Sequence, residues 1–170
     1  MEVWKAFEKN SISHSAAHHL MTIYDLLDKN GYARVTDVAK SLEITRGSAS
    51  ITLKALKEKG FVREDENKFL RLSEEGERIS HSIQSIKKIF EKFLVDVLRV
   101  APAQAEVDAC KIEHLLSRET GTKLLNFMSY LSSDSTSVRK FLQEFRSYEE
   151  ACSHSPDGCN VCDDECLRPD

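Results

Sequence analysis

The 170-residue sequence predicts a mainly α-helical protein interrupted once by a short β-hairpin. Three observations carry that expectation. Apolar residues recur at helical spacing along most of the chain. Only six glycines and three prolines are present, too few for a sheet sandwich with its many turns. One stretch, residues 61–72, instead alternates apolar and polar positions around Asp65-Glu66-Asn67, which is the pattern of two strands and a tight turn.

Residues 15–29 form the first expected helix, with Leu20, Ile23, Tyr24 and Leu27 on one face and His18 and Met21 a turn apart on another. Asn30-Gly31 stops it. Thr36 is expected to cap a second helix that points Val38, Ala39 and Leu42 inward. The turn Glu43-Ile44-Thr45 leads to a third helix over residues 47–59, with Ile51, Leu53, Leu56 and Ala49 toward the core. A short helix, a tight turn and a longer helix opening on small polar residues is the helix-turn-helix pattern, and the following hairpin makes it a winged one. Arg46, Ser48, Ser50 and Thr52 fall where such a helix meets the DNA major groove, with Thr36, Thr45 and Gly47 beside them. Ser48 and Ser50 also suit a plain helix cap. Arg63, Lys68 and Arg71 of the hairpin are placed to touch phosphates or simply to be solvated.

Ser73 opens a long helix over residues 74–98, striped by Ile79, Ile83, Ile86, Phe90, Phe93, Leu94, Val97 and Leu98. Ala101-Pro102 breaks it. Further amphipathic helices are expected over residues 104–116, 119–131 and 138–148, the third following a polar loop at residues 132–135. The expected domains are a DNA-binding domain at 1–72, a helical dimerisation and metal-binding domain at 73–148, and an acidic, cysteine-rich tail at 149–170.

Charge agrees with this division. The formal net charge is −4, but residues 144–170 hold eight acidic and two basic residues. Residues 34–72 hold nine basic and six acidic ones. A mildly basic winged helix ahead of an acidic tail fits a nucleic-acid binder. No apolar run reaches the roughly 20 residues of a membrane span, and the N-terminus lacks a signal-like apolar core. A cytoplasmic protein with no membrane partner is expected.

Cys110, Glu113 and His114 are spaced to share one face of a helix within one turn. A thiolate, a carboxylate and an imidazole facing one way can hold a divalent transition metal. A buried cysteine beside an exposed Glu-His pair accounts for the same residues, and both readings stand at this point. In the tail, Cys152, Cys159, Cys162 and Cys166 follow Cys-x6-Cys-x2-Cys-x3-Cys, which suits a second metal or an iron–sulfur cluster as well as unliganded thiols. No general base or nucleophile constellation stands outside these groups, so neither an enzyme nor a small-molecule substrate is expected.

The order of winged helix, long connector and Asp-Ala-Cys-Lys-Ile-Glu-His-Leu-Leu-Ser resembles the iron-dependent repressors of the diphtheria toxin repressor family and their manganese-responsive relatives. The resemblance runs from about His18 to Leu131 and includes His18-His19-Leu20-Met21-Thr22-Ile23-Tyr24, Gly31-Tyr32-Ala33-Arg34-Val35-Thr36-Asp37-Val38-Ala39 and Glu91-Lys92-Phe93-Leu94. It implies a homodimeric, metal-dependent repressor of metal-homeostasis genes that binds double-stranded operator DNA. By position it implies Cys110, Glu113 and His114 as primary-site ligands, with His18 from the first helix and Met21 as a weaker thioether candidate. Glu91 and Glu106 fall on ancillary-site positions. Lys87 stands where the family has a histidine ligand, and an ammonium cannot coordinate a metal; an ion pair of Lys87 with Glu91 or Glu106 is the expected substitute. Cys110 occupies the iron-branch position, so Fe²⁺ is the expected metal, with Mn²⁺, Co²⁺, Ni²⁺ or Zn²⁺ as alternatives. The rival reading is a winged-helix regulator that senses redox state or an iron–sulfur cluster through the tail. A metal-independent regulator and a metalloenzyme are weaker rivals.

Overall fold

A computed structural model of the protein describes residues 12–151, and the chain divides into two compact units after Met128. The first helix, α1, spans His14–Asn30. The Ser13 hydroxyl accepts from the Ala16 N–H and fixes where it starts. Gly31 ends it in the left-handed region (φ 77°), its N–H donating to the Leu27 carbonyl, a conformation that costs glycine nothing. Ala17, Leu20 and Ile23 form the buried stripe.

Helix α2 covers Val35–Ser41. Its start corrects the expectation that Thr36 is the cap. The Asp37 carboxylate accepts from the Arg34 N–H at 3.0 Å, so the helix begins one residue before Thr36, whose side chain is exposed. Helix α3 covers Arg46–Glu58, and the cap is Thr45, whose hydroxyl accepts from the Ser48 N–H at 3.1 Å. Ser50 takes no capping role; its hydroxyl donates to the Arg46 carbonyl one turn back. A second correction concerns Ile51, which is 74% exposed. Ala49, Leu53 and Leu56 define the inward stripe, and at about 100° per residue a position two away from both Ala49 and Leu53 points outward.

Strands β1 (Val62–Glu64) and β2 (Leu70–Leu72) pair antiparallel, Val62 opposite Leu72, Arg63 opposite Arg71 and Glu64 opposite Leu70. Val62, Leu70 and Leu72 face inward. The Leu70 N–H donates to the Ala33 carbonyl at 2.8 Å, tying the hairpin to the link between α1 and α2. With Ile83 these elements build one apolar core.

Helix α4 spans Glu74–Lys92 and runs into a π-helical turn at Phe93–Val97, so the long connector is continuous with a widened end. Ser73 caps it, its N–H donating to the Phe61 carbonyl at 2.9 Å. Gly76 is demanded here: a Cβ would sit 2.3 Å from the Phe61 carbonyl oxygen. Helix α4 packs on α1 on one side and on α5, Pro102–Ile112, on the other.

Helix α5 begins at Pro102 and ends four residues short of the expected limit. The Glu113 N–H still reaches the Ala109 carbonyl, but the Leu115 and Leu116 N–H groups both turn back to Ile112. Helix α6 covers Arg118–Leu131, with Met128 and Leu131 buried and Leu125 and Phe127 exposed. In the second unit, α7 covers Thr136–Ala151, with Val138 buried and Phe141 exposed. The architecture is a winged helix-turn-helix followed by an all-helical region. No helix of the described residues is long and apolar enough to cross a membrane.

Candidate metal centre

Two elements far apart in sequence bring metal-ligand side chains together. His18 projects from the second turn of α1. Cys110 is in the last turn of α5, Glu113 is its C-cap and His114 stands in the turn beyond. The helix end matters: Glu113 retains helical geometry (φ −51°, ψ −35°), so it keeps its place beside Cys110, while His114 has left the helix. The expectation that all three lie on one helical turn is therefore corrected to a helix end plus a turn. The Sγ of Cys110 lies 3.2 Å from Nε2 of His18, and the same nitrogen lies 3.6 Å from Oε1 of Glu113.

Glu113 is the most telling member. Its side chain is 0% exposed, and among the described residues neither carboxylate oxygen has a hydrogen-bond partner. The Nδ1 of His114 is likewise buried and unbonded. A carboxylate out of water without a partner is costly, and such groups are rare in folded proteins unless an ion compensates them. Burial drives every member toward its uncharged form. It raises Glu113 above the ordinary carboxylate value, and it raises the Cys110 thiol, with the Glu113 charge adding to the effect. It lowers His18 and His114, helped in both by the neighbouring His14. Lys87 acts in the opposite direction on the acids, its positive charge lowering Glu113 and Cys110. Two neutral imidazoles, a thiol and a carboxyl with unbonded buried oxygens fit a divalent cation, whose charge would favour the ionised acids and whose empty orbitals suit the imidazole lone pairs.

The remaining expected residues divide. Met21 is buried within the apolar core. Glu91 is half-buried and Glu106 exposed; Glu106 is near enough for its charge to raise the Cys110 thiol. The ion pair expected for Lys87 is absent among the described residues, where no carboxylate oxygen of Glu91 or Glu106 lies within 4.0 Å of its ammonium. Cys152, Cys159, Cys162 and Cys166 lie outside the described residues. Sequence reasoning missed His14. Its ring lies 4.4 Å from that of His18 and 5.0 Å from that of His114, and a ligand atom of His14, one of His18 and the Cys110 sulfur all fall within 4.8 Å of one another. The spacing His14-x3-His18, two histidines one helical turn apart, was the signal available.

The residues expected to face DNA are solvent-exposed. Thr36, Thr45, Arg46, Gly47, Ser48 and Ser50 are all exposed along α2, the turn and the start of α3.

Comparison with known proteins follows the same outline. The iron-dependent repressor IdeR of Mycobacterium leprae (strain TN) is 24% identical over 120 residues, 71% of this chain and 52% of the relative. The chain thus spans about half the length of the curated relatives it matches. Among solved structures, that of T. acidophilum IdeR shares the fold with a TM-score of 0.57 at 21% identity, covering 70% of this chain and 55% of the other. The manganese regulator SloR gives 0.61 at 21% identity, over 68% and 54%. A family model described as "Iron dependent repressor, N-terminal DNA binding domain" matches residues 11–70, and "Iron dependent repressor, metal binding and dimerisation domain" matches residues 73–142. Together the two matches take in most of the described residues, including the helix-turn-helix and the donor cluster at the end of α5: the chain belongs to the iron-dependent repressor family.

Proposed function

We propose that this protein is a homodimeric transcriptional repressor of metal-homeostasis genes that binds operator DNA when it holds a divalent metal, with Fe²⁺ as that metal. The observation that carries the reading is the buried, unpartnered carboxylate of Glu113 facing His18, a residue of the DNA-binding part of the chain. The working division is a DNA-binding domain at 1–72, a dimerisation and metal-binding domain at 73–148 and a tail at 149–170. His18, Cys110, Glu113 and His114 are the ligands. A bound divalent cation supplies the positive charge that Glu113 and Cys110 lack in their buried setting. The rest follows from how the chain is built. Helix α1 carries His18 and packs directly on α3, so drawing His18 toward Cys110 and Glu113 sets the stance of α3 relative to α5. In a two-fold dimer that stance sets the separation of two recognition helices, which must match half-sites about 34 Å apart or a multiple of it.

The DNA face supports the assignment. Arg63 and Arg71 stand directly opposite on the hairpin, both exposed, a like-charge pair that weakens a free hairpin and suits a phosphate. The exposed Ile51, next to Ser50 on α3, offers an apolar surface of the kind that meets a thymine methyl. The Cys110 thiolate disfavours Mn²⁺ relative to Fe²⁺, Co²⁺, Ni²⁺ and Zn²⁺, and Fe²⁺ is chosen among these because Cys110 falls on the position of the iron-responsive branch. The exposed Leu125 and Phe127 of α6 support self-association.

An anaerobic DNA-binding titration on duplexes from the protein's own upstream region tests the function, comparing chelator, Fe²⁺, Mn²⁺ and Zn²⁺. Tight binding only with metal, strongest with Fe²⁺ and lost in His114→Ala, is expected. Equal binding in chelator and metal would overturn the assignment.

A further inference from the structure

We propose that His14 is a direct metal donor, so that α1 grips the cation through two imidazoles one turn apart while the end of α5 supplies thiolate, carboxylate and a third imidazole. The inference rests on the metal-site reading above and adds a ligand to it. Ligand atoms of His14, His18 and Cys110 lie within 4.8 Å of one another, and the His14 ring touches those of both His18 (4.4 Å, edge-on) and His114 (5.0 Å). Bonds of about 2.0–2.3 Å place neighbouring donors of a five-coordinate set roughly 2.8–4.0 Å apart. The 3.2 Å between Cys110 and His18 is already at that spacing. His14 needs to close by about 1 Å, well within the swing of an exposed imidazole about its side-chain torsions.

The position of His14 argues against a purely structural part. It is the first residue of α1, immediately after the Ser13 cap, with its side chain exposed. It contributes nothing to the apolar core. Lying on the solvent side of a cluster whose inner end is the fully buried Glu113, His14 closes the outer mouth of the site. Two imidazoles on α1 also make the link between α1 and α5 a chelate on both sides, and a set of three nitrogens, one sulfur and one carboxylate oxygen is softer than one rich in carboxylates. That favours Fe²⁺, Co²⁺ and Zn²⁺ over Mn²⁺.

The test is an anaerobic Co²⁺ titration of the full chain, comparing wild type, His14→Ala and His14→Phe. The Phe variant keeps an aromatic ring against His18 and His114 but offers no donor. Readouts are Co²⁺ affinity, thiolate-to-cobalt charge-transfer absorption, the d–d bands, and the imidazole count from X-ray absorption. Wild type is expected to show three imidazoles. Both variants are expected to show two, with altered d–d bands, retained charge transfer from Cys110 and affinity weakened by about 100-fold or more, the upper end of what even outer partners of metal ligands cost. Affinity within about threefold of wild type and unchanged spectra in both variants would overturn the proposal while leaving the site intact. A wild type without a charge-transfer band that Cys110→Ser removes would overturn the metal-site reading itself.

Discussion

Replacing Glu113 by leucine should stabilise the metal-free protein and destabilise the metal-bound one, reversing the order of the two. In the metal-free protein the Glu113 carboxyl is buried with both oxygens unbonded, and His18 Nε2 lies 3.6 Å from its Oε1. An unsatisfied buried group of this kind costs about 1–3 kcal/mol, and apolar replacement of buried charged groups is commonly neutral or stabilising by about 1–4 kcal/mol. Leucine fills most of the same volume, so a gain of about 2 kcal/mol is expected, which raises Tm by roughly 4–8 °C for a chain of this size. With free Co²⁺ at 100 times its Kd, wild type gains about 2.7 kcal/mol by linkage, a gain the variant lacks. Urea unfolding with chelator and with Co²⁺ measures both. The pH dependence has a definite sign. Glu113 titrates above its ordinary 4.5 in the folded protein, so between 4.5 and its folded value the native state binds more protons than the unfolded one. Metal-free wild type therefore loses stability as pH rises through that window, and the advantage of Glu113→Leu shrinks as pH falls toward 4.5. A chelated variant more than about 1 kcal/mol less stable than wild type at pH 7 would refute the reasoning, because it would make the carboxyl a satisfied part of the fold.

Two other perturbations test the framework around the site. Gly76→Ala should destabilise by about 1–3 kcal/mol in urea unfolding, opposite to the usual gain of alanine over glycine in a helix, because the new methyl would meet the Phe61 carbonyl at 2.3 Å and push α4 off the hairpin; a stabilised variant would refute that contact. Glu64 is held below its ordinary 4.5 by its 2.5 Å hydrogen bond from Lys57, so its contribution, about 1 kcal/mol, is complete above pH 4.5 and is lost as pH falls through the folded value; the stability gap between wild type and Glu64→Gln should accordingly close in acid, and a gap constant with pH would refute the assignment.

Which parts of this molecule could be read from the sequence follows from what each signal depends on. Helix positions were legible because the stripes of α1, α3 and α4 are local and periodic, and the hairpin because its alternation is local too. Boundaries were less so. The start of α2 is decided by the Asp37 carboxylate reaching back to Arg34, which composition does not distinguish from a cap at Thr36. Ile51 was placed inward by its chemistry alone; the phase set by Ala49, Leu53 and Leu56 puts it outward. At the centre, Cys110, Glu113 and His114 were legible as a spacing. Their meeting with His18, 92 positions away from Cys110, is tertiary and came only from a family resemblance. His14 escaped notice because the first helix was expected to begin at residue 15, one position after it, and only tertiary packing brings its pairing with His18 next to Cys110.

On the proposed assignment of ligands, the division of donors between α1 and the end of α5 is what would let the site act as a switch. Donors confined to Cys110, Glu113 and His114 would bind equally well whatever α1 did, and equal affinity for two arrangements shifts neither. Moving an equilibrium from 1:99 to 99:1 takes about 5.5 kcal/mol of differential affinity. Relief of the Glu113 carboxyl, about 2 kcal/mol on the estimate above, falls short of that by itself. The balance has to come from donors gained only when α1 closes on α5, and those are the imidazoles of α1. His18 sits 3.2 Å from Cys110 and 3.6 Å from Glu113, near enough to join by a small movement of the helix that also packs on α3. Apolar packing alone would hold α1 against α5 at all times and leave nothing to regulate. A buried carboxylate with no hydrogen-bond partner instead leaves the metal-free arrangement poorly satisfied, so on the proposed reading the fold would give up stability at Glu113 in exchange for a difference between two states that a cation could exploit.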